Sequence, residues 1–270
     1  MAHAMPILLD SRLPPRPSET VAPPPSRKGG VSVLDALRRH PANTHLGLML
    51  ALTFTTGMVD AVGYLGLDRV FTGNMTGNIV ILGMALIGGS GLPVAGPAIA
   101  LAAFMCGAAF GGRVLRRDRH AWTPRHTWLF ACVALVLGLA AVPAVLLESP
   151  GHVAQYSITA ALGAAMGCQA ATARHIAVKD VTTVVVTSTL TGLASDSVLG
   201  RGEGQPWKRR AAAIVLIGLG ALTGAALLKV HLGWGLVVAA LIIGSAAWLG
   251  HAARPQPADA LADGAQPKVE

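Results

Sequence analysis

Eight apolar stretches, each near the length of a membrane-spanning helix, constrain this chain more than any other feature. They cover about residues 46–67, 70–90, 93–112, 127–147, 153–173, 180–200, 211–229 and 231–250. A helix needs roughly 20 apolar residues to cross a bilayer. Only 13% of the 270 residues are charged, against about 25% in a soluble domain. The sequence therefore predicts an integral membrane protein of the all-α class.

The two ends of the chain differ from its apolar middle. Residues 1–45 combine many prolines with serine and charge, and residues 251–270 are polar. Chains of this composition do not bury a core. We therefore expect two disordered tails around one transmembrane domain at 46–250. The apolar run at residues 6–9 is too short for a signal peptide, so the N-terminus is expected to be retained.

The lysines and arginines of the connectors test which stretches cross, because these residues favour the cytoplasmic side. If all eight stretches cross, the basic residues divide nine against nine. If the second and sixth stretches enter the membrane and turn back, the division becomes sixteen against two, with both tails cytoplasmic. The pattern predicts about six crossings and two re-entrant or broken polar segments. In the first half, charge shows only that one of three stretches does not cross.

The two halves, about 46–147 and 153–250, resemble each other. Residues 71–78, FTGNMTGN, align with residues 186–193, VTSTLTGL, and share three positions. The glycines of the next stretch, Gly107 and Gly111 against Gly220 and Gly224, recur at nearly the same offset. Three crossings per half is an odd number, so the second half would be inverted. This predicts the inverted-repeat plan of many channels and secondary transporters.

Polar side chains inside the apolar stretches are the candidate functional residues, because an unpaired polar group in hydrocarbon costs several kcal/mol. Asp60 is foremost, since a carboxylate within the membrane favours a proton or cation site. The alternative is that Asp60 caps a broken helix or bonds to Thr72 and Asn74 as a structural element. The full set of pathway candidates is Asp60, Asn74, Thr76, Asn78, Gln169, Thr187, Thr191 and Asp196.

Four small-xxx-small patterns predict close helix packing, because glycine lets helix backbones approach. They comprise Gly73 and Gly77, Gly107 and Gly111, Gly163 and Gly167, and Gly220 and Gly224. Such faces are also compatible with a homo-oligomer.

Other classes of function find little support. The net charge of +8 is spread over separate connectors without a recognition motif, so we expect contact with the lipid bilayer and no nucleic-acid binding. The three cysteines and nine histidines show no metal-ligand spacing. No nucleophile and base pattern is present, which predicts a non-enzyme without cofactor or metal.

Two motifs resemble a known family. Residues 57–64, GMVDAVGY, with 70–78, VFTGNMTGN, are similar to the signature of the YoaK-like bacterial membrane proteins, a family of unknown function. Residues 163–169 and 187–192 resemble that family's second characteristic region. The resemblance covers about residues 45–250. It implies a multi-pass protein of the bacterial inner membrane and supplies no substrate.

The sequence thus favours a transporter or channel for a small solute or ion. In this hypothesis Asp60 is the protonatable or cation-coordinating group, and Asn and Thr side chains supply neutral hydrogen bonds. Half-helix N-termini could instead face an anion. The alternative hypothesis is a non-catalytic membrane scaffold or subunit that packs against a partner through its small-residue helix faces.

Overall fold

The computed structural model describes residues 41–88, 91–118, 122–147, 151–176, 186–197, 200, 202 and 207–254. Most of the two tails expected at 1–45 and 251–270, namely residues 1–40 and 255–270, lies outside these residues, as do Lys179 and most of the connector at 198–206. Residues 41–45 and 251–252, which composition places in the two tails, belong instead to the first and the last helix.

The described residues form α-helices and their connectors, which confirms the all-α class predicted from the sequence. The helices are α1 (Pro41–Gly66), α2 (Met75–Leu86), α3 (Ala95–Leu115), α4 (Pro124–Leu146), α5 (His152–Ile176), α6 (Val186–Ser195), α7 (Trp207–Leu228) and α8 (Leu232–Ala252). The buried core lies mainly among α1, α4, α5 and α8, with Phe130, Leu137 and Ile243 fully buried.

Five of the described helices, α1, α3, α4, α7 and α8, are long and apolar enough to cross a membrane. Helix α5 has the length, with 25 residues, or about 38 Å at 1.5 Å per residue. Its composition is more polar because Thr159, Gln169 and Thr172 lie on it, and all three are buried. These side chains face protein, so α5 meets the length requirement but not the hydropathy of the other five.

The chain reverses immediately after α1. Asp68 and Arg69 both adopt left-handed backbone conformations, with φ of 61° and 59°. The reversed chain passes so close to α1 that a Cβ on Gly63 would lie 2.5 Å from the carbonyl oxygen of Val70. A Cβ on Gly96, at the start of α3, would lie 2.5 Å from the Val70 side chain. The start of α3 therefore lies beside the end of α1.

Helix α2 occupies the chain between these two neighbouring points. It has 12 residues, a length of about 18 Å, against a hydrocarbon thickness of about 30 Å. Helix α6 has 10 residues and is shorter still. The segment that contains α2 leaves one end of the bundle and returns to the same end.

The packing of the long helices is the same in both halves: each contact between two helices has an equivalent contact when α1–α4 are matched with α5–α8. Helix α3 packs along α5 and α7 packs along α1, which are equivalent pairs if α1–α4 correspond to α5–α8. The contacts of α1 with α8 and of α5 with α4 are likewise equivalent, and α4 packs on α8. The short helices follow the same rule, since α2 lies on α3 and α6 lies on α7.

Individual glycine contacts repeat with the helices. A Cβ on Gly107 would collide with the backbone carbonyl of Ala164, and a Cβ on Gly220 with that of Phe54. These two contacts are equivalent in the alignment of the halves. Two further equivalent pairs exist: Gly57 against Ile217 with Gly167 against Phe104, and Gly224 against Met58 with Gly111 against Cys168. The similarity of the halves therefore extends to single backbone contacts.

The direction of the helices follows from the order of such contacts. Along α1 and α7, Phe54 meets Gly220 and Met58 meets Gly224, so these helices are parallel. Along α4 and α8 the order is reversed, because Ala134 lies beside Gly244 and Val145 lies beside Gly233. The two equivalent helices α4 and α8 therefore run in opposite directions.

Candidate functional site

Asp60 lies in the last third of α1, six residues before the helix ends, and holds the segment that precedes α2. Its Oδ1 accepts hydrogen bonds from three successive backbone amides, those of Thr72 at 2.9 Å, Gly73 at 2.6 Å and Asn74 at 3.4 Å. Successive amides that converge in this way form an anion-binding concavity. The site that an anion could occupy at the start of α2 is therefore already taken by a carboxylate oxygen of the same chain.

The start of α2 is fixed by two asparagines. Asn74 is the N-cap, and its side chain accepts a hydrogen bond from the Gly77 amide at 3.3 Å. Asn78 is buried and pairs with the backbone of Phe71 in both directions: its Oδ1 accepts from the Phe71 amide at 2.9 Å, and its Nδ2 donates to the Phe71 carbonyl at 2.6 Å. Each asparagine satisfies backbone groups that would otherwise be unpaired near the membrane interior.

A cavity of about 570 Å³ opens beside Asp60. It brings together four of the sequence-predicted residues, Asp60, Asn74, Thr76 and Thr187. Its other lining residues are Thr56, Tyr64, Phe71, Gly73, Gly77, Val80, Ile81, Val186 and Ile217. The walls therefore come from α1, from the α2 segment and from α6 and α7, which belong to both halves of the chain.

The second oxygen of Asp60 is available to this cavity. Asp60 has a residual exposure of 9%. Every hydrogen bond that Asp60 makes with the described residues goes to Oδ1. Among the described residues, Gln169 Oε1 is the only side-chain polar atom that is both fully enclosed and without a hydrogen-bond partner. Asp60 Oδ2 has no hydrogen-bond partner among them either, so it is not fully enclosed. One oxygen of Asp60 thus has a structural partner set, and the other remains accessible.

Gln169 lies outside the cavity lining but contacts one of its residues. Its Nε2 donates to Thr56 Oγ1 at 3.3 Å and to the Leu52 carbonyl at 3.5 Å, which ties α5 to α1 one helical turn from Asp60. The Gln169 Oε1 is buried and has no hydrogen-bond partner among the described residues.

Three other predicted residues do not reach the cavity. Asn78 bonds to Phe71 as described above. Thr191 Oγ1 donates to the Thr187 carbonyl of its own helix at 2.9 Å. Asp196 forms an ion pair with Arg210 at 2.8 Å and also accepts a hydrogen bond from Ser195 at 2.9 Å. The Asp196 carboxylate therefore joins the end of α6 to the start of α7.

Sequence reasoning did not single out the apolar walls of the site. Tyr64 and Phe71 stack with their ring centroids 4.8 Å apart, and both line the cavity with Ile217. A second cavity of about 430 Å³ adjoins the first and shares Asp60, Tyr64, Phe71 and Ile217 with it. Its remaining lining is apolar or glycine. Tyr64 and Phe71 belong to the two motifs that resemble the family signature, but nothing in those motifs indicates that the two rings stack or line a cavity, because an aromatic side chain in a membrane helix is ordinary.

One contact between histidines was also missed. His126 Nε2 and His175 Nδ1 lie 3.0 Å apart, although the residues are 49 positions apart in sequence. The pair joins the start of α4 to the end of α5. Beside it, Asp118 accepts a hydrogen bond from Thr123, and this bond, with the nearby Arg125 guanidinium, lowers the pKa of the Asp118 carboxyl. Among the described residues, no three His, Cys, Asp or Glu side chains form a metal-binding group.

These features define a multi-pass helical membrane protein with a carboxylate cavity between its helices. The chain belongs to the family described as "Protein of unknown function (DUF1275)", whose model matches residues 48–249. It is 32% identical over 184 residues to the UPF0700 transmembrane protein YoaK of Bacillus subtilis (strain 168), a match that covers 65% of this chain and 80% of YoaK. The resemblance seen in the sequence is thereby confirmed. No solved structure matches the chain.

Proposed function

We propose that this protein is a membrane transporter or channel for a small solute or ion. The observation that carries the proposal is the 570 Å³ cavity with an accessible Asp60 oxygen. A volume of this size falls within the range of about 300–1,000 Å³ typical of ligand sites. A carboxylate in a membrane helix is energetically costly, and such residues usually pair with other groups or line a functional site. Asp60 is paired on one oxygen only.

The proposed topology has six crossings, α1, α3, α4, α5, α7 and α8, with α2 and α6 as re-entrant segments. It is supported by the return of the α2 segment to the end of α1 and by the antiparallel run of α4 and α8. If α4 and α8 are equivalent, the halves form an inverted repeat. Transporters of this plan place their substrate site where interrupted helices of the two halves meet, and α2 and α6 both contribute to the Asp60 cavity.

The similarity to a transmembrane protein of Bacillus subtilis supports a location in the bacterial plasma membrane, and the basic connectors support an orientation with both termini cytoplasmic. In this arrangement Arg113, Arg116 and Arg117 at the end of α3 lie on the same side as Arg174 and Lys208. The opposite side carries Arg69 and Lys229.

The scaffold alternative is less well supported. It needs small-residue faces that are free to pack against a partner. A Cβ on Gly107, Gly163, Gly167, Gly220 or Gly224 would instead collide with the backbone of a neighbouring helix in the same chain. These glycines are therefore used for internal packing.

Reconstitution into proteoliposomes tests the proposal. Electrogenic currents would be recorded with Na⁺, K⁺, protons, choline and acetate, and swelling with glycerol and urea. We expect at least one of these solutes to move faster than in protein-free vesicles, and Asp60→Asn to remove most of that flux. The matched control is Asp68→Asn, because Asp68 is exposed and has left-handed backbone geometry that asparagine accepts. Flux equal to that of protein-free vesicles for every solute would refute transport.

A further inference from the structure

The groups around Asp60 indicate the sign of the charge that the solute carries. The amides of Thr72, Gly73 and Asn74, which could bind an anion, already bind Asp60 Oδ1. Among the described residues that line the cavity, Asp60 alone carries a formal charge. A negative solute would therefore meet the unpaired Asp60 Oδ2 and find no cationic partner among these lining residues. The electrostatics favour a cation.

The walls also distinguish an organic cation from a metal ion. Small inorganic cations need several oxygen ligands at short distance. Here Asp60 is the one carboxylate among the described lining residues, and no three His, Cys, Asp or Glu side chains of the described part of the chain form a metal-binding group. Tyr64, Phe71 and Ile217 line the same space. The adjoining cavity of about 430 Å³ shares these three residues and continues with Ala61, Leu65 and other apolar side chains. An alkyl group would find apolar contact in both cavities, whereas a bare metal ion would find a single carboxylate and otherwise only neutral oxygens among the described lining residues.

The aromatic pair adds a specific reason. Tyr64 and Phe71 stack with their ring centroids 4.8 Å apart, and both line the two cavities that Asp60 lines. Aromatic faces attract cations that lack a tight hydration shell, and ammonium groups carrying methyl or alkyl substituents are the usual ligands of such sites. A carboxylate beside aromatic rings satisfies both the charge and the apolar surface of an alkylammonium ion.

We infer that the Asp60 cavity binds a small organic ammonium ion, with its charge against Asp60 Oδ2 and its alkyl groups against Tyr64, Phe71 and Ile217. This inference rests on the proposed function, for which it supplies the chemical class of the solute. Thr56, Thr187 and Asn74 line the same space, and their side-chain oxygens can accept hydrogen bonds from an ammonium that carries protons.

Equilibrium binding to the detergent-purified protein tests the inference without any need for transport. The probes are radiolabelled choline, tetramethylammonium and butylammonium. The neutral comparison is 3,3-dimethylbutan-1-ol, which has the shape of choline without its charge. We expect at least one ammonium probe to bind and the neutral alcohol to compete at least tenfold less well. Phe71→Leu should weaken binding by roughly 2- to 30-fold, the range of a cation–π contact.

Two variants separate the charge from the fold. Asp60→Asn should abolish binding, while Asp68→Asn should not change it. Because Asp60 also holds the α2 segment, Thr187→Lys provides a second route: Thr187 is an exposed residue of the cavity wall, and a lysine there would place a tethered ammonium in the cavity. This variant should retain the elution profile of the native protein and lose probe binding.

The outcomes are distinct for the two proposals. Binding of an ammonium probe without flux in proteoliposomes would uphold the cation site and refute transport. Flux of a neutral or anionic solute, with no binding of any ammonium probe, would uphold transport and overturn the cation inference. Competition by K⁺ or Na⁺ as effective as that by choline, or equal competition by the neutral alcohol, would also overturn it.

Discussion

The equivalence of the two halves makes a quantitative prediction at Gly107 and Gly220. In Gly107→Ala, the new Cβ would lie 2.7 Å from the carbonyl carbon of Ala164, and in Gly220→Ala it would lie 2.9 Å from that of Phe54. The carbonyl oxygens are closer still. Ordinary contact begins at 3.4 Å, so each helix pair must separate by at least about 0.5 Å at a backbone that cannot rotate away. Overpacking of this kind costs about 1–3 kcal/mol.

The two helices provide their own controls. A Cβ added to Gly112 on α3 or to Gly218 on α7 would have no atom within 4 Å, so alanine there should stabilise its helix by about 0.5–1 kcal/mol. The free energy of unfolding would be measured for all four variants in mixed detergent micelles. We expect Gly107→Ala and Gly220→Ala to be destabilised by similar amounts and both controls to be neutral or better.

Two results would refute this reasoning in different ways. If Gly220→Ala were as stable as Gly218→Ala, the close packing of α1 on α7 would be wrong. If only one of Gly107→Ala and Gly220→Ala were destabilised, the packing of that pair would stand, but the equivalence of the halves would fail.

Two further predictions concern the α2 segment and the topology. Asn78→Leu leaves the amide and carbonyl of Phe71 without their partners and should cost about 2 kcal/mol or more of unfolding free energy, whereas Asn43→Ala, at an exposed position, should change little; equal stability of the two would contradict the role of Asn78. In a background without native cysteines, Arg117→Cys should resist an impermeant thiol reagent in intact cells while Lys229→Cys reacts, and labelling of both from outside would exclude the proposed six crossings.

The membrane class and the positions of most helices could be predicted because they depend on local composition. Apolar stretches of sufficient length form helices in lipid whatever their partners, and the predicted stretch at 127–147 corresponds to α4. The ends of the helices were less predictable, since α1 begins five residues before the start of the expected transmembrane domain at residue 46. The position of α5 was predicted, but its polar residues were not explained. The burial of Thr159, Gln169 and Thr172 depends on neighbouring helices that sequence alone does not identify.

The candidate site was only partly predictable for the same reason. A carboxylate in an apolar stretch is conspicuous, so Asp60 was found, and the polar residues near α2 and α6 followed from composition. Polarity does not reveal which groups share a space. Thr187 reaches the cavity, whereas Asp196, nine residues later, pairs with Arg210. Tyr64 and Phe71 lie in the two family motifs, but their sequence positions do not show that the left-handed turn at Asp68 and Arg69 brings the two rings together.

The two alternatives for Asp60, structural cap and functional carboxylate, apply to different oxygens of one side chain. Asp60→Asn keeps an oxygen that can accept the amides of Thr72, Gly73 and Asn74 but removes the charge. Asp60→Leu removes the acceptor as well and leaves buried amides unsatisfied, at about 1–3 kcal/mol for each such group. We therefore expect Asp60→Leu to unfold far more readily than Asp60→Asn, and both to lose ammonium binding. If Asp60→Asn were as unstable as Asp60→Leu, the charge of Asp60 would itself hold the α2 segment. Loss of binding in Asp60→Asn would then no longer report on Oδ2. The Thr187→Lys variant would decide in that case whether the cavity is the binding site.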